Sequence, residues 1–198
     1  MTKIISNIYQ FKLTLRGLTP LIWRRIQVPE NYSFWDLHVA IQDSMGWFDS
    51  HLHQFEMNDP NTNEETTIIT PFQEDSSDED MVLEQQAKIK EYFSNTNTNA
   101  IYTYDFGDSW EHQIVLEKIM TISEGVRYPQ CIAGKRSCPP EDCGGTWGYQ
   151  QLLEVIKDPN HEDYEEQVEW LEDDFNSETF NKDSIIFEDP KERLKGLF

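Results

Sequence analysis

The chain has 198 residues, of which 37% are hydrophobic and 13% aromatic; that length buries a sizeable core without disulfides, and the aromatic supply excludes a largely disordered chain. Acids outnumber bases 37 to 16, for a formal net charge of −21, which counts against nonspecific nucleic-acid binding and against an anionic membrane surface. No apolar run exceeds three residues, whereas a spanning helix needs about 20.

Tyr9, Phe11, Leu13 and Leu15 alternate with polar residues, the pattern of a half-buried strand. Gly17-Leu18-Thr19-Pro20 is a turn, and Leu21 to Val28 returns as a second strand, which predicts an antiparallel hairpin. One face of that strand holds Ile22, Arg24, Ile26 and Val28, so Arg24 is expected to pair with a carboxylate, Asp105 or Asp108, at the sheet rim. A helix follows over 33–45. Ser33 is its N-cap, Asp36 complements the free amides, and Phe34, Leu37, His38, Ile41 and Met45 share one face. Gly46 stops it. His51 to Met57 reads as a third strand, with His51, His53, Phe55 and Met57 on one side.

Residues 58–80 read as an acidic loop with a short edge strand at Ile68 and Ile69; residues 73–80 are expected to be mobile and dispensable. Met81 to Phe93 is read as a short helix. Ile101–Asp105 and Trp110–Ile119 form a second hairpin, with Trp110, His112, Ile114 and Leu116 on one face. Residues 125–148 look ordered but irregular. Tyr149 to Ile156 marks a helix, and an acidic C-terminal helix runs over about 161–175. Ile185, Ile186, Phe187 and Phe198 suggest a tail that docks back. The expected fold is α+β: one domain over 1–198, with an antiparallel sheet from two hairpins plus a further strand and helices packed on it.

Three blocks together resemble a known family. The first runs from Leu18 to Pro29 and continues in Phe34–His38 and His51-Leu52-His53-Gln54-Phe55. The second is Tyr102 to His112. The third holds Tyr128-Pro129-Gln130-Cys131, Gly134, Cys138-Pro139-Pro140-Glu141-Asp142-Cys143-Gly144-Gly145 and Gly148-Tyr149. In order and spacing these are similar to the plasmid pRiA4b ORF-3-like family, some of whose members carry the labels TnpR resolvase or IS1096 passenger protein. The resemblance covers roughly residues 7–187. It implies an α+β fold and brings no activity with it. A recombinase needs a basic DNA-binding segment, and here the C-terminal region is the most acidic: residues 158–198 hold fourteen acids and four bases.

Four features could carry chemistry. Cys131, Cys138 and Cys143, spaced C-x6-C-x4-C, could hold zinc with His112, His51 or His53 as a further ligand. The same cysteines also fit three reduced, buried thiols, because an odd count and a leader-free start suggest a reducing cytoplasmic setting. Phe106-Gly107-Asp108-Ser109 carries the letters of an SGNH-type esterase block, yet it lies inside a hairpin and reads as its turn. Asp105, Asp108, His112, Glu141 and Asp142 could meet Arg24, Arg25, His51 and His53 as a proton-transfer cluster or as an ion-pair network. The acidic helix is a solvated face, a dock for a basic protein partner, or a mimic of nucleic-acid charge. No P-loop, dinucleotide fingerprint, zincin or EF-hand pattern is present. The leading expectation is a noncatalytic cytoplasmic binding or adaptor module with no direct nucleic-acid contact. The alternatives are a metal-dependent or acid/base enzyme on the His/Asp/Cys cluster, and a mobile-element accessory protein.

Overall fold

The computed structural model describes residues 7–70, 81–171 and 175–196. The first hairpin is β1 (Asn7–Leu15) against β2 (Trp23–Pro29), antiparallel from Ile8 opposite Pro29 to Thr14 opposite Trp23. The alternation has its expected result. Phe11, Leu13, Leu15, Ile26 and Val28 are fully buried on one face, while Lys12, Thr14 and Arg25 lie on the other. Each such apolar side chain contributes about 1.5–3 kcal/mol by leaving water.

Helix α1 (Phe34–Met45) begins at a capping box: Ser33 Oγ accepts the Asp36 amide at 3.1 Å and Asp36 accepts the Ser33 amide at 2.8 Å. It ends at Gly46, whose φ of 89° lets its N–H reach Gln42 O. Strand β3 (His53–Asn58) follows, so His51 sits in the loop before the strand rather than on it. A turn built on Asp59 leads to β4 (Glu65–Ile69), which pairs with β3 along its length. The acidic-loop reading over 58–80 is therefore too long at its start; residues 71–80, including the segment expected to be mobile, lie outside the described residues.

The helix expected over 81–93 is instead a two-residue strand, β5 (Val82–Leu83), parallel to β4, followed by a single turn, α2 (Ile89–Tyr92). Glu84, Ala87 and Phe93 are buried, and the chain turns inward at each of them instead of presenting one helical face. Strands β6 (Asn99–Tyr104) and β7 (Trp110–Thr121) form the second hairpin. β7 pairs with β1, Leu15 opposite His112 and Asn7 opposite Thr121, and joins the two hairpins. The segment read as irregular contains β8 (Gln130–Lys135), which pairs antiparallel with the outer edge of β2. The result is an eight-stranded sheet in the order β5-β4-β3-β6-β7-β1-β2-β8, antiparallel except for β4 and β5.

Helix α3 (Gly145–Val155) and helix α4 (Tyr164–Trp170) follow, and α5 (Pro190–Gly196) packs on α1. Pro190 O accepts Trp35 Nε1–H at 2.9 Å, and Arg193 pairs with Asp43 at 2.6 Å. The segment after Lys182 docks, with Ile185 and Phe187 packed against the core and Ile186 exposed, while Phe198 lies outside the described residues. No helix among the described residues is long and apolar enough to cross a membrane.

Candidate functional site

Three segments converge at the loop end of β3, β6 and β7. The first is the chain after α1. Trp47 Nε1–H donates to Pro139 O at 2.9 Å, and the Phe48 amide donates to Glu141 at 3.1 Å. The second is the β6–β7 turn. Asp105 and Ser109 adopt positive φ, and the Asp105 Oδ1 accepts the Gly107 amide at 2.9 Å. The third is the 136–148 segment. Asp108 accepts the Gly144 amide at 3.1 Å, and a Cβ on Gly145 would lie 2.5 Å from Asp108 O, so only glycine permits that approach. Tyr104 ties them together: its hydroxyl donates to Glu141 and accepts the Ser50 amide. Burial, with Glu141 beside it, keeps that phenol protonated.

His51 stands at the centre. Its Nε2 lies 3.0 Å from Asp142 Oδ1 and 3.7 Å from Asp105 Oδ2. The expected cluster of Asp105, Asp108, Glu141, Asp142 and His51 thus shares one place, while Arg24, Arg25, His53 and His112 do not join it. Arg24 meets no carboxylate within 4 Å among the described residues. Instead it donates to Ser44 O at 2.8 Å, Trp23 O at 3.0 Å and Lys135 O at 3.2 Å, with the Phe180 ring 4.2 Å from its guanidinium. Helix α1 has no basic residue in its last turn, and Arg24 supplies the missing positive charge at its carbonyl end. Arg25 points to the opposite face and pairs with Glu117 through two hydrogen bonds.

His53 enters the interior and donates to Glu84 at 2.7 Å. Beside it lies His38, bonded to Asp49 at 2.8 Å and to the Tyr102 hydroxyl at 2.8 Å. The protons follow from Gln42, which accepts the Asp49 amide through Oε1 and donates to the Tyr102 oxygen. Tyr102 must then donate to His38 Nδ1, which leaves the proton on His38 Nε2 for Asp49. Burial pushes His38 down to about 4, with His53 adding to it. His112 is inward, as strand alternation predicts. Its Nδ1 lies 3.2 Å from Trp110 O, its Nε2 has no hydrogen-bond partner among the described residues, and burial pushes it down to about 3.

The zinc set expected from the cysteines is not assembled. Two groups of His and carboxylate donors lie within 4.8 Å of one another among the described residues, His38–Asp49–His53 and His51–Asp105–Asp142, and neither contains a cysteine or His112. Cys131 is buried on β8, where its thiol donates to Ala133 O at 3.4 Å. Burial pushes all three thiols up, Cys143 to about 12. Phe106 to Ser109 is the hairpin turn, and Ser109 Oγ faces Phe106 O rather than a histidine.

Beyond Asp142 opens a cleft of about 850 Å³ between α3 and α4. Trp147 and Trp170 line it, 72% and 46% exposed, with Asp142, Glu162, Asp163, Glu166, Glu169 and His161, and with no Lys or Arg among the described residues. The sequence shows the acids of α4 but not that α3 would set a second indole opposite them.

Residues 7–184 match the plasmid pRiA4b ORF-3-like protein family. The chain is 32% identical over 168 residues to the uncharacterized protein y4hQ of Sinorhizobium fredii (strain NBRC 101917 / NGR234), spanning 84% of this chain and 82% of that one. The crystal structure of the protein of unknown function MM3350 from Methanosarcina mazei Go1 superposes with a TM-score of 0.86 at 50% identity, over 92% of this chain and 99% of that one. The matched span takes in all three sequence blocks, and the chain belongs to the plasmid pRiA4b ORF-3-like family.

Proposed function

We propose that this protein is a noncatalytic binding module whose α3/α4 cleft docks a lysine- or arginine-rich segment of a partner protein. The observation that carries it is the pairing of two exposed indoles with five carboxylates in one concave surface that has no Lys or Arg among its described residues. Indole faces attract ammonium and guanidinium groups by about 0.5–2 kcal/mol each. Carboxylates supply the complementary charge and speed encounter. The interior histidines favour binding over acid/base work, because His38 and His112 are buried and held neutral with no exposed face.

The test is fluorescence anisotropy at 0.15 M salt with a labelled Lys/Arg-rich peptide. Trp170→Ala and Trp147→Ala leave the charge unchanged, and each should weaken binding at least several-fold. Neutralising acids away from the cleft, such as Glu64 and Glu65, should weaken it little. Binding that follows total charge and ignores both tryptophans would refute the cleft.

A further inference from the structure

We infer that His51, Asp105 and Asp142 form a binding site for one divalent first-row transition-metal ion. The three donors come from three separate segments, so their meeting is a product of the tertiary fold. His51 Nε2 lies 3.0 Å from one carboxylate oxygen and 3.7 Å from the other, and the three donors lie within 4.8 Å of one another. An ion bonded at about 2.0–2.2 Å holds its donors roughly 3–3.5 Å apart, so small adjustments bring these atoms to ligating distance.

Asp105 is 9% exposed; its Oδ1 takes the Gly107 amide, while its Oδ2 faces His51 at 3.7 Å and accepts no hydrogen bond among the described residues. The side chain is 13% exposed, so a cation bound there would sit at the edge of the interior, against a carboxylate oxygen that faces the imidazole. Asp105, Asp108, Glu141 and Asp142 have no Lys or Arg within 4 Å among the described residues; the basic side chain beside them is His51. The side chain of Asp142 is 70% exposed, which leaves the site open on one side to water or a further ligand. One imidazole and two carboxylates suit zinc or manganese and lack the sulfur that would select a softer ion.

The buried His38–Asp49–His53 group has the same donor types, but its geometry points elsewhere. Its two imidazoles are stacked 3.5 Å apart and 6° from parallel. Their in-plane lone pairs therefore run side by side instead of converging on one ion, and His38 Nε2 already holds the proton given to Asp49.

The metal site stands apart from the cleft reading and shares only Asp142 with it. Isothermal titration of tag-free, chelator-treated protein with zinc chloride, and separately with manganese chloride, tests it. One ion per chain is expected for at least one of the two metals. Asp105→Asn and His51→Ala should each weaken that binding about tenfold or more, whereas Glu166→Gln, in the cleft, should leave it unchanged. Asparagine tolerates the positive φ of residue 105, and circular dichroism checks each variant; should one fail to fold, the other decides. Absence of saturable binding with both metals, or binding indifferent to the folded variants, overturns the site. Either result leaves the peptide experiment with the tryptophan variants to judge the cleft separately.

Discussion

The imidazole rings of His38 and His53 lie face to face, with centroids 3.5 Å apart and planes 6° from parallel. One comes from α1 and the other from β3, so the stack fastens the helix to the sheet. It works with at most one charge, because two imidazolium rings at that distance repel strongly in a dry interior.

Acid should therefore destabilise this protein well above the carboxylate range. Burial lowers His38 to about 4 and His112 to about 3 in the folded state, while in the unfolded chain both take up protons near pH 6.5. The unfolded state binds more protons between those limits, so stability falls as pH drops from about 6.5 toward 4. Urea midpoints measured at pH 7, 6 and 5 should decline steadily, with unfolding at pH 5 taking up about two protons through these residues. A midpoint flat over that range would contradict the buried neutral assignment.

Arg24→Ala should cost roughly 3 kcal/mol or more, because Arg24 is 2% exposed and loss of its guanidinium strands carbonyls of α1, β2 and β8. Arg24→Lys should recover only part of this, since an ammonium cannot reproduce the planar fork. Arg25→Ala, one residue on, should cost no more than about 1 kcal/mol, as its pair with Glu117 is partly solvated. Denaturant midpoints that rank the two positions the other way would overturn the account of both.

Gly148 and Gly46 should respond very differently to alanine. A Cβ at Gly148 would lie 2.0 Å from Cys143 O, inside the turn that starts α3. Gly46 has a φ of 89° and open space around it, so its penalty is conformational, about 1 kcal/mol. Gly148→Ala should exceed that by a factor of two or more in thermal or urea unfolding, and equal losses would show that the tight turn relaxes freely.

The local elements were legible because their signals are local. Ser33, Asp36 and Gly46 mark α1 at both ends, and the alternation of β1, β2 and β7 marks their buried faces. β8 was not legible: six residues among Gly, Pro and Cys carry no clear alternation, and the strand exists because β2 offers an unpaired edge. Glu84 was hidden for a similar reason, since its burial depends on His53 arriving from another strand. Of the candidate site, His51, Asp105 and Asp142 were named from the sequence, yet so were residues that lie elsewhere. His38 carried a readable signal, a titratable residue on an otherwise apolar helix face. Asp49 and Tyr102 carried none until the fold joined them.

At least one pH-independent consequence of the sheet order reaches back to synthesis. β1 lies between β2 and β7, and β7 begins at Trp110, so the first strand leaves the ribosome long before one of its two neighbours. At about 5–20 residues per second that interval is roughly 5–20 s. Throughout it the nascent β1–β2 hairpin exposes an unpaired, apolar edge. The hazard to this chain therefore falls during translation, and factors that shield nascent strands should raise its soluble yield more than slow refolding of the finished protein does.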